Sequence, residues 1–131
     1  MMLYDPIRKK EVADTPEERV RQAILKHMID ALEFPKGLIA VEKKLSTQRR
    51  ADIIAFMRAD EGLKPLVVVE CKAFDLDADA VNQVVGYNGL LAAPFVCVAH
   101  QSGIQTFWRE GGVLQSVGFL PPYPQLLQRV I

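Results

Sequence analysis

Val20, Ile24, Leu25, Met28 and Leu32 recur at the three-and-four spacing of a helix with one apolar face. Thr15 stands ahead of them, followed by Pro16, Glu17 and Glu18. A hydroxyl at the N-cap, proline at the first helical position and acids in the first turn predict a helix start here. Glu18, three residues after Thr15, fits a capping box. The helix is expected to end near Phe34, before Pro35 and Gly37. Beyond it the pattern changes. Residues 38–44 and 51–58 read as strands, with Ser46–Thr47–Gln48 in the turn between them and Asp60–Glu61–Gly62 as the next turn. Residues 66–71 are a nearly continuous, valine-rich apolar run, as expected of a central strand buried on both faces. Residues 77–91 return to helical spacing, with Val81, Val84, Val85 and Ala92 on one face. Residues 95–99 read as a fourth strand, and 104–109 with 113–119 as a closing hairpin that turns at Glu110–Gly111–Gly112.

The predicted order is helix, three strands, helix, strand, then a hairpin. The first three strands can form a meander. The second helix serves as a crossover that lets the fourth strand pair in parallel with the third. This is an α/β (α+β) arrangement, a mixed sheet flanked by helices. It forms a single domain over 1–131, with a charged lead-in at 1–14 and a Pro-rich tail at 120–131 that is extended and ends in a short amphipathic segment.

Composition changes this picture little. A chain of 131 residues, half of them hydrophobic, is one globular domain's worth and not a disordered segment. No apolar run approaches the roughly 18 residues that cross a membrane, and the first residues hold no apolar signal segment. A cytoplasmic protein with no membrane partner is expected. Cys71 and Cys97 sit in apolar runs and read as reduced, buried thiols. Sixteen basic residues balance sixteen acidic ones, which argues against nucleic-acid binding by bulk charge alone.

The chemical anomaly lies in the third strand, where Glu70 and Lys72 interrupt the apolar run. Alternation points both the same way and sends Val69 and Cys71 to the opposite face. A buried charge is costly unless it is paired or binds metal. Asp52, at the start of the preceding strand, can be brought beside them. Two carboxylates suit Mg²⁺ or Mn²⁺, and an ammonium beside them can orient the attacking water, help deprotonate it or stabilise developing charge.

An Asp opening one strand and Glu-X-Lys on the next resemble the PD-(D/E)XK nuclease superfamily, with its restriction-endonuclease-like core of order αβββαβ, here followed by a C-terminal hairpin. The string Asp5–Pro6–Ile7–Arg8–Lys9–Lys10, then Thr15 to Gln22, resembles the opening of the N-terminal nuclease domain of type I restriction enzyme R subunits. Arg50–Ala51–Asp52–Ile53 and Val69–Glu70–Cys71–Lys72–Ala73 continue that pattern. Gln83 and Tyr87 match a Gln-X-X-X-Tyr element, as in RecB-like nucleases. The resemblance covers residues 5–109. It implies that Asp52 and Glu70 are metal ligands, that Lys72 is the catalytic base or charge stabiliser, and that Glu17 or Glu18 completes the metal site. Helical phase favours Glu17, on the Val20–Ile24 side. Gln83 and Tyr87, four residues apart on one helix face, are expected to touch the substrate strand.

Two departures stand out. Ala51 replaces the proline of the older signature, and Ala99–His100–Gln101–Ser102–Gly103 stands where relatives carry Asn-Gly. No phosphate-binding loop is present, so a motor or specificity function must come from partner proteins. Arg49 and Arg50 are candidate phosphate contacts. His27 and His100 read as structural or surface residues, and Trp108 with Phe107 as core. The expectation is a Mg²⁺-dependent endonuclease acting on DNA, with self-association as a homodimer where both strands are cut. The alternative is a catalytically degenerate nuclease fold that binds nucleic acid or protein.

Overall fold

A computed structural model describes residues 2–46, 49–72 and 93–130, with side chains from 43 to 50 left out of the description. Its centre is a six-stranded mixed sheet flanked by helices. In chain order the strands of the molecule are β1 (Met2–Asp5), β2 (Lys10–Ala13), β3 (Ile39–Ser46), β4 (Arg49–Ala59), β5 (Gly62–Cys71), β6 (Phe95–His100), β7 (Gly103–Glu110) and β8 (Val113–Val117). The helices are α1 (Pro16–Asp30) and α2 (Tyr123–Val130), with a short 3-10 turn at Lys36–Leu38. The sheet runs β3-β4-β5-β6-β7-β8 in that order. All neighbours are antiparallel except β5 and β6, which pair in parallel from Val67 opposite Phe95 to Cys71 opposite Ala99. The predicted meander, parallel pair and closing hairpin are therefore all present. The predicted helix over 77–91, with Gln83 and Tyr87, lies outside the described residues.

The valine run of β5 explains the layering. Leu66, Val67, Val68 and Val69 are buried on both faces of the sheet. On one face, Val67 and Val69 join Ile24, Leu25 and Met28 of α1 and Leu126 of α2 in the main core. On the other, Val68 packs with Ala51, Ile54, Val96, Val98 and Phe107. Both thiols are free and buried. Burial raises the Cys97 thiol to about 12. Burial and then the Asp52 charge hold Cys71 well above the usual thiol range.

Both chain ends are more ordered than the sequence pattern predicts. The lead-in is a hairpin, with Met2 opposite Ala13 and Asp5 opposite Lys10. Asp5 closes it, its Oδ1 accepting from the backbone N–H of Ile7 and Arg8 at 2.8 Å each. The Pro-rich tail, expected to be extended up to a short amphipathic terminus, is helical from Tyr123 to Val130. Leu126 is fully buried, and the Tyr123 hydroxyl donates to the Phe56 carbonyl at 2.9 Å. The Arg129 guanidinium lies 5.1 Å over the Trp108 ring, which itself packs on the main core as expected.

Candidate active site

Asp52 marks the place where the β4–β5 ladder opens. The β4–β5 register runs to Ile53 opposite Val69, one residue short of Asp52 on β4 and of Glu70 on β5. There the carboxylate takes over from the backbone, and Asp52 Oδ2 accepts from the Cys71 N–H at 2.7 Å. On its other side β5 stays in register, with the Lys72 N–H donating to the Ala99 carbonyl at 2.8 Å. Glu70 shares the strand face of Val68 by alternation, opposite Val69 and Cys71. Asp52, Glu70 and Lys72 thus gather at one end of the central strands.

Helix α1 delivers its first turn to the same place. Thr15 caps the helix, its hydroxyl accepting from the Glu18 N–H at 3.1 Å. The reciprocal half of the predicted capping box is not made. The Glu18 carboxylate turns to Arg8 at 2.7 Å, Arg21 at 2.9 Å and Gln22 at 3.2 Å. The helical-phase expectation for the two acids is also reversed. Glu18 is the buried one, and the Glu17 side chain is 53% exposed. Stepping through 18, 21, 25, 28 and 32 shows why, because this stripe carries the buried face and Glu17 lies at its margin. The Glu17 carboxyl nonetheless faces the site. Partial burial raises its pKa, the Asp52 charge raises it further, and Arg21 and Lys72 oppose the shift.

The residue that sequence reasoning missed is Arg21. It is 5% exposed in the buried stripe of α1, and its guanidinium gathers four carboxylates. Nη1 donates to Glu18 at 2.9 Å. Nη2 lies 2.8 Å from Asp52, 2.7 Å from Glu42 and 3.6 Å from Glu17. Burial alone would lower the Arg21 pKa, but the bond to Asp52 and the surrounding acids raise it. Among the described residues its Nε is buried with no hydrogen-bond partner. The signal was present, since an arginine on the stripe of Leu25 and Met28 must find acids beneath the helix. Glu42 was also missed, and here the pattern held no signal. It adopts a left-handed backbone (φ 58°) inside β3, which a glutamate rarely does.

Arg49 and Arg50 lie on β4 by backbone, opposite Ser46 and Lys44 across a bulge. His27 and His100 line a largely apolar cleft of about 350 Å³ between α1 and the β6–β7 turn, with Val20, Ile24 and Ile104 on its walls.

The carboxylates have the hard-oxygen chemistry that Mg²⁺ or Mn²⁺ takes. Among the described residues, no three His, Cys, Asp or Glu side chains converge as a ready-made metal cage. Oxygens of Asp52 and Glu42 stand at hydrogen-bond length from a nitrogen, farther than the roughly 2.0–2.1 Å of direct Mg²⁺ coordination. Among the described residues no helix is long and apolar enough to cross a membrane. Residues 16–115 match the sequence pattern of the family described as type I restriction enzyme R protein N terminus. No curated protein and no solved structure matches the chain.

Proposed function

Because this chain belongs to the family of type I restriction enzyme R protein N termini, we propose that it is a metal-dependent nuclease domain that hydrolyses phosphodiester bonds of DNA. The observation that carries the proposal is the meeting of Asp52 with the β5 backbone at Cys71, between Glu70 and Lys72 in the chain, where the charges of Asp52 and Lys72 also act on Glu17 of the α1 N-terminus. Oxygen donors of three elements beside an ammonium are what hydrolysis of a phosphodiester needs.

In this reading Asp52 and Glu70 hold Mg²⁺ or Mn²⁺, with Glu17 as the supporting acid. The chemistry such a cation supplies when bound is polarisation of the phosphoryl oxygen and acidification of an attacking water. The chain's own residues do the rest. The Cys71 N–H fixes the rotamer of Asp52, so one carboxylate oxygen is held by the backbone of the strand that carries Glu70 and Lys72. Lys72 follows directly on the last residue of β5, with its backbone tied to β6. Its ammonium orients the water or stabilises charge on the phosphate. Burial and the Asp52 charge raise the Glu17 pKa, so it holds a proton more readily than an ordinary glutamate. Gln83, Tyr87, Arg49 and Arg50 contact the substrate strand. A partner protein supplies any motor or sequence specificity, and a second copy of the chain supplies the second cut.

The test is cleavage of supercoiled plasmid DNA with Mg²⁺ or Mn²⁺. Wild type is expected to nick or linearise it, with Asp52→Ala and Lys72→Ala inactive and still folded. Equal cleavage by both variants would sink the proposal.

A further inference from the structure

The six-stranded sheet has two edges, and they are finished differently. At one edge, β3 carries Glu42, Lys43 and Lys44 in succession, with a left-handed backbone at Glu42 (φ 58°) and a register shift between Lys44 and Ser46. Charge and irregular backbone on an edge strand keep one sheet from adding to another. At the other edge, β8 has neither. Residues 113–120 hold no charged residue and no proline, and β8 pairs with β7 without a shift, from Val113 opposite Glu110 to Val117 opposite Thr106. Among the described residues β8 has β7 as its one neighbour in the sheet. We propose that the outer edge of β8 docks β8 of a second copy of this chain, the two strands pairing antiparallel about Gln115 so that two sheets join into one. The pairing rests on this edge and not on the nuclease reading above.

Three observations carry the inference. First, the exposed apolar surface is concentrated here. Of six exposed large hydrophobic side chains among the described residues, Val113, Leu114 and Phe119 lie on β8 or just after it, with Val113 59% exposed. Such side chains gathered along one strand edge, rather than scattered singly, mark a contact surface. Second, the strand complements itself. Antiparallel pairing about Gln115 sets Val113 of each copy opposite Val117 of the other, and Leu114 opposite Ser116. Valine pairs across strands strengthen a ladder, and like charges opposite one another weaken it. No charge meets a like charge along this pairing, because Arg109 and Glu110 belong to β7, one strand back from the edge. A partner chosen by charge would find none on β8 to read. Third, the assembly closes. A two-fold contact uses the β8 edge of both copies, and the outermost strands of the joined sheet are then the two charged, bulged β3 strands. A contact of this kind ends at two copies rather than extending into a filament.

The experiment is sedimentation velocity of the full chain over a dilution series, in chelator and without DNA. Wild type is expected to pass from monomer to dimer as concentration rises. Gln115→Lys sets two ammonium groups across the two-fold axis, and Gln115→Glu sets two carboxylates there. Each is expected to weaken the dimer by about tenfold or more. Mixed in equal amounts, the two variants are expected to associate again, because lysine then faces glutamate. Val113→Lys, at an exposed position of the same strand, is expected to weaken the dimer as well, and it carries the test if a Gln115 variant does not fold.

A wild type that stays monomeric at every concentration overturns the proposal and leaves the β8 edge to a strand of another protein. A dimer as tight in the variants as in wild type also overturns it, since the interface then lies elsewhere. Weakened variants that do not associate on mixing overturn the two-fold at Gln115. Assemblies that grow beyond two copies contradict the closed pairing. This proposal and the nuclease reading fail differently. A monomer that cuts plasmid DNA ends the pairing and leaves the nuclease reading standing, and a dimer that cuts nothing does the reverse.

Discussion

Two ionic clusters meet on helix α1, built from the same residue types with different finish. Beneath the N-terminal hairpin, Asp5 is fully buried. It accepts from two backbone N–H groups, from Arg8 Nε at 2.7 Å and from Gln22 at 3.0 Å. Burial by itself would raise its pKa, but these bonds outweigh burial and hold it below the usual carboxylate range. One helical turn away, Arg21 gathers Glu17, Glu42 and Asp52, and there Glu17 is half exposed with a raised pKa while Glu42 sits on a left-handed backbone. The first cluster has its charges closed off by hydrogen bonds and serves the fold. The second crowds buried and half-exposed acids around one guanidinium, with the Lys72 charge nearby. Glu18 joins the two by bonding both arginines.

Several substitutions break or sharpen this contrast. The largest stability effect belongs to the closed cluster. Asp5→Ala strands Arg8 and two backbone donors and should cost about 3–5 kcal/mol in urea unfolding, with Mn²⁺ binding unchanged in the folded fraction. A loss as small as that of an ordinary surface change would show that the hairpin cluster is not structural. Glu18→Gln should cost about 1–3 kcal/mol, since Arg8 and Arg21 each lose a charged acceptor. The same assay across pH reads the Asp5 linkage. Its folded pKa lies below the unfolded value, so its contribution is complete above the ordinary carboxylate pKa of about 4 and is lost as pH falls through the lower folded value. The urea midpoint of wild type should drop over that acidic window, and Asp5→Asn should flatten the drop. A slope unchanged by Asp5→Asn would assign the acid sensitivity elsewhere. The smallest effect separates the adjacent acids. Glu17→Gln removes a carboxylate that burial and Asp52 disfavour, so at neutral pH without metal it should raise the melting point, by about 2 °C at most. A clear fall would place Glu17 with the closed cluster.

Much of this architecture is legible in the sequence because it follows from strong, local signals. The valine run of β5, the turn at Asp60–Glu61–Gly62 and the apolar spacing of α1 each specify an element by period and punctuation. Asp52, Glu70 and Lys72 stand out as charges inside apolar strands. The rest depends on contacts between segments far apart in the chain. The hairpin at Met2–Ala13 is stabilised by Asp5 reaching Arg8 and Gln22, and no alternation in so short and charged a stretch announces it. Glu17 and Glu18 are one residue apart, and only the position of Arg21 on the buried stripe decides which faces the core. Glu42 enters the site through one left-handed residue, which periodicity cannot supply.

The most direct test of the account is a calorimetric titration of Mn²⁺ into wild type and Asp52→Asn. Asparagine keeps an oxygen for the Cys71 N–H, so the strand end stays assembled while the charge is removed. The account predicts saturable binding to wild type and none to the variant, with both folded. Absence of binding to wild type, or equal binding to both, would contradict it.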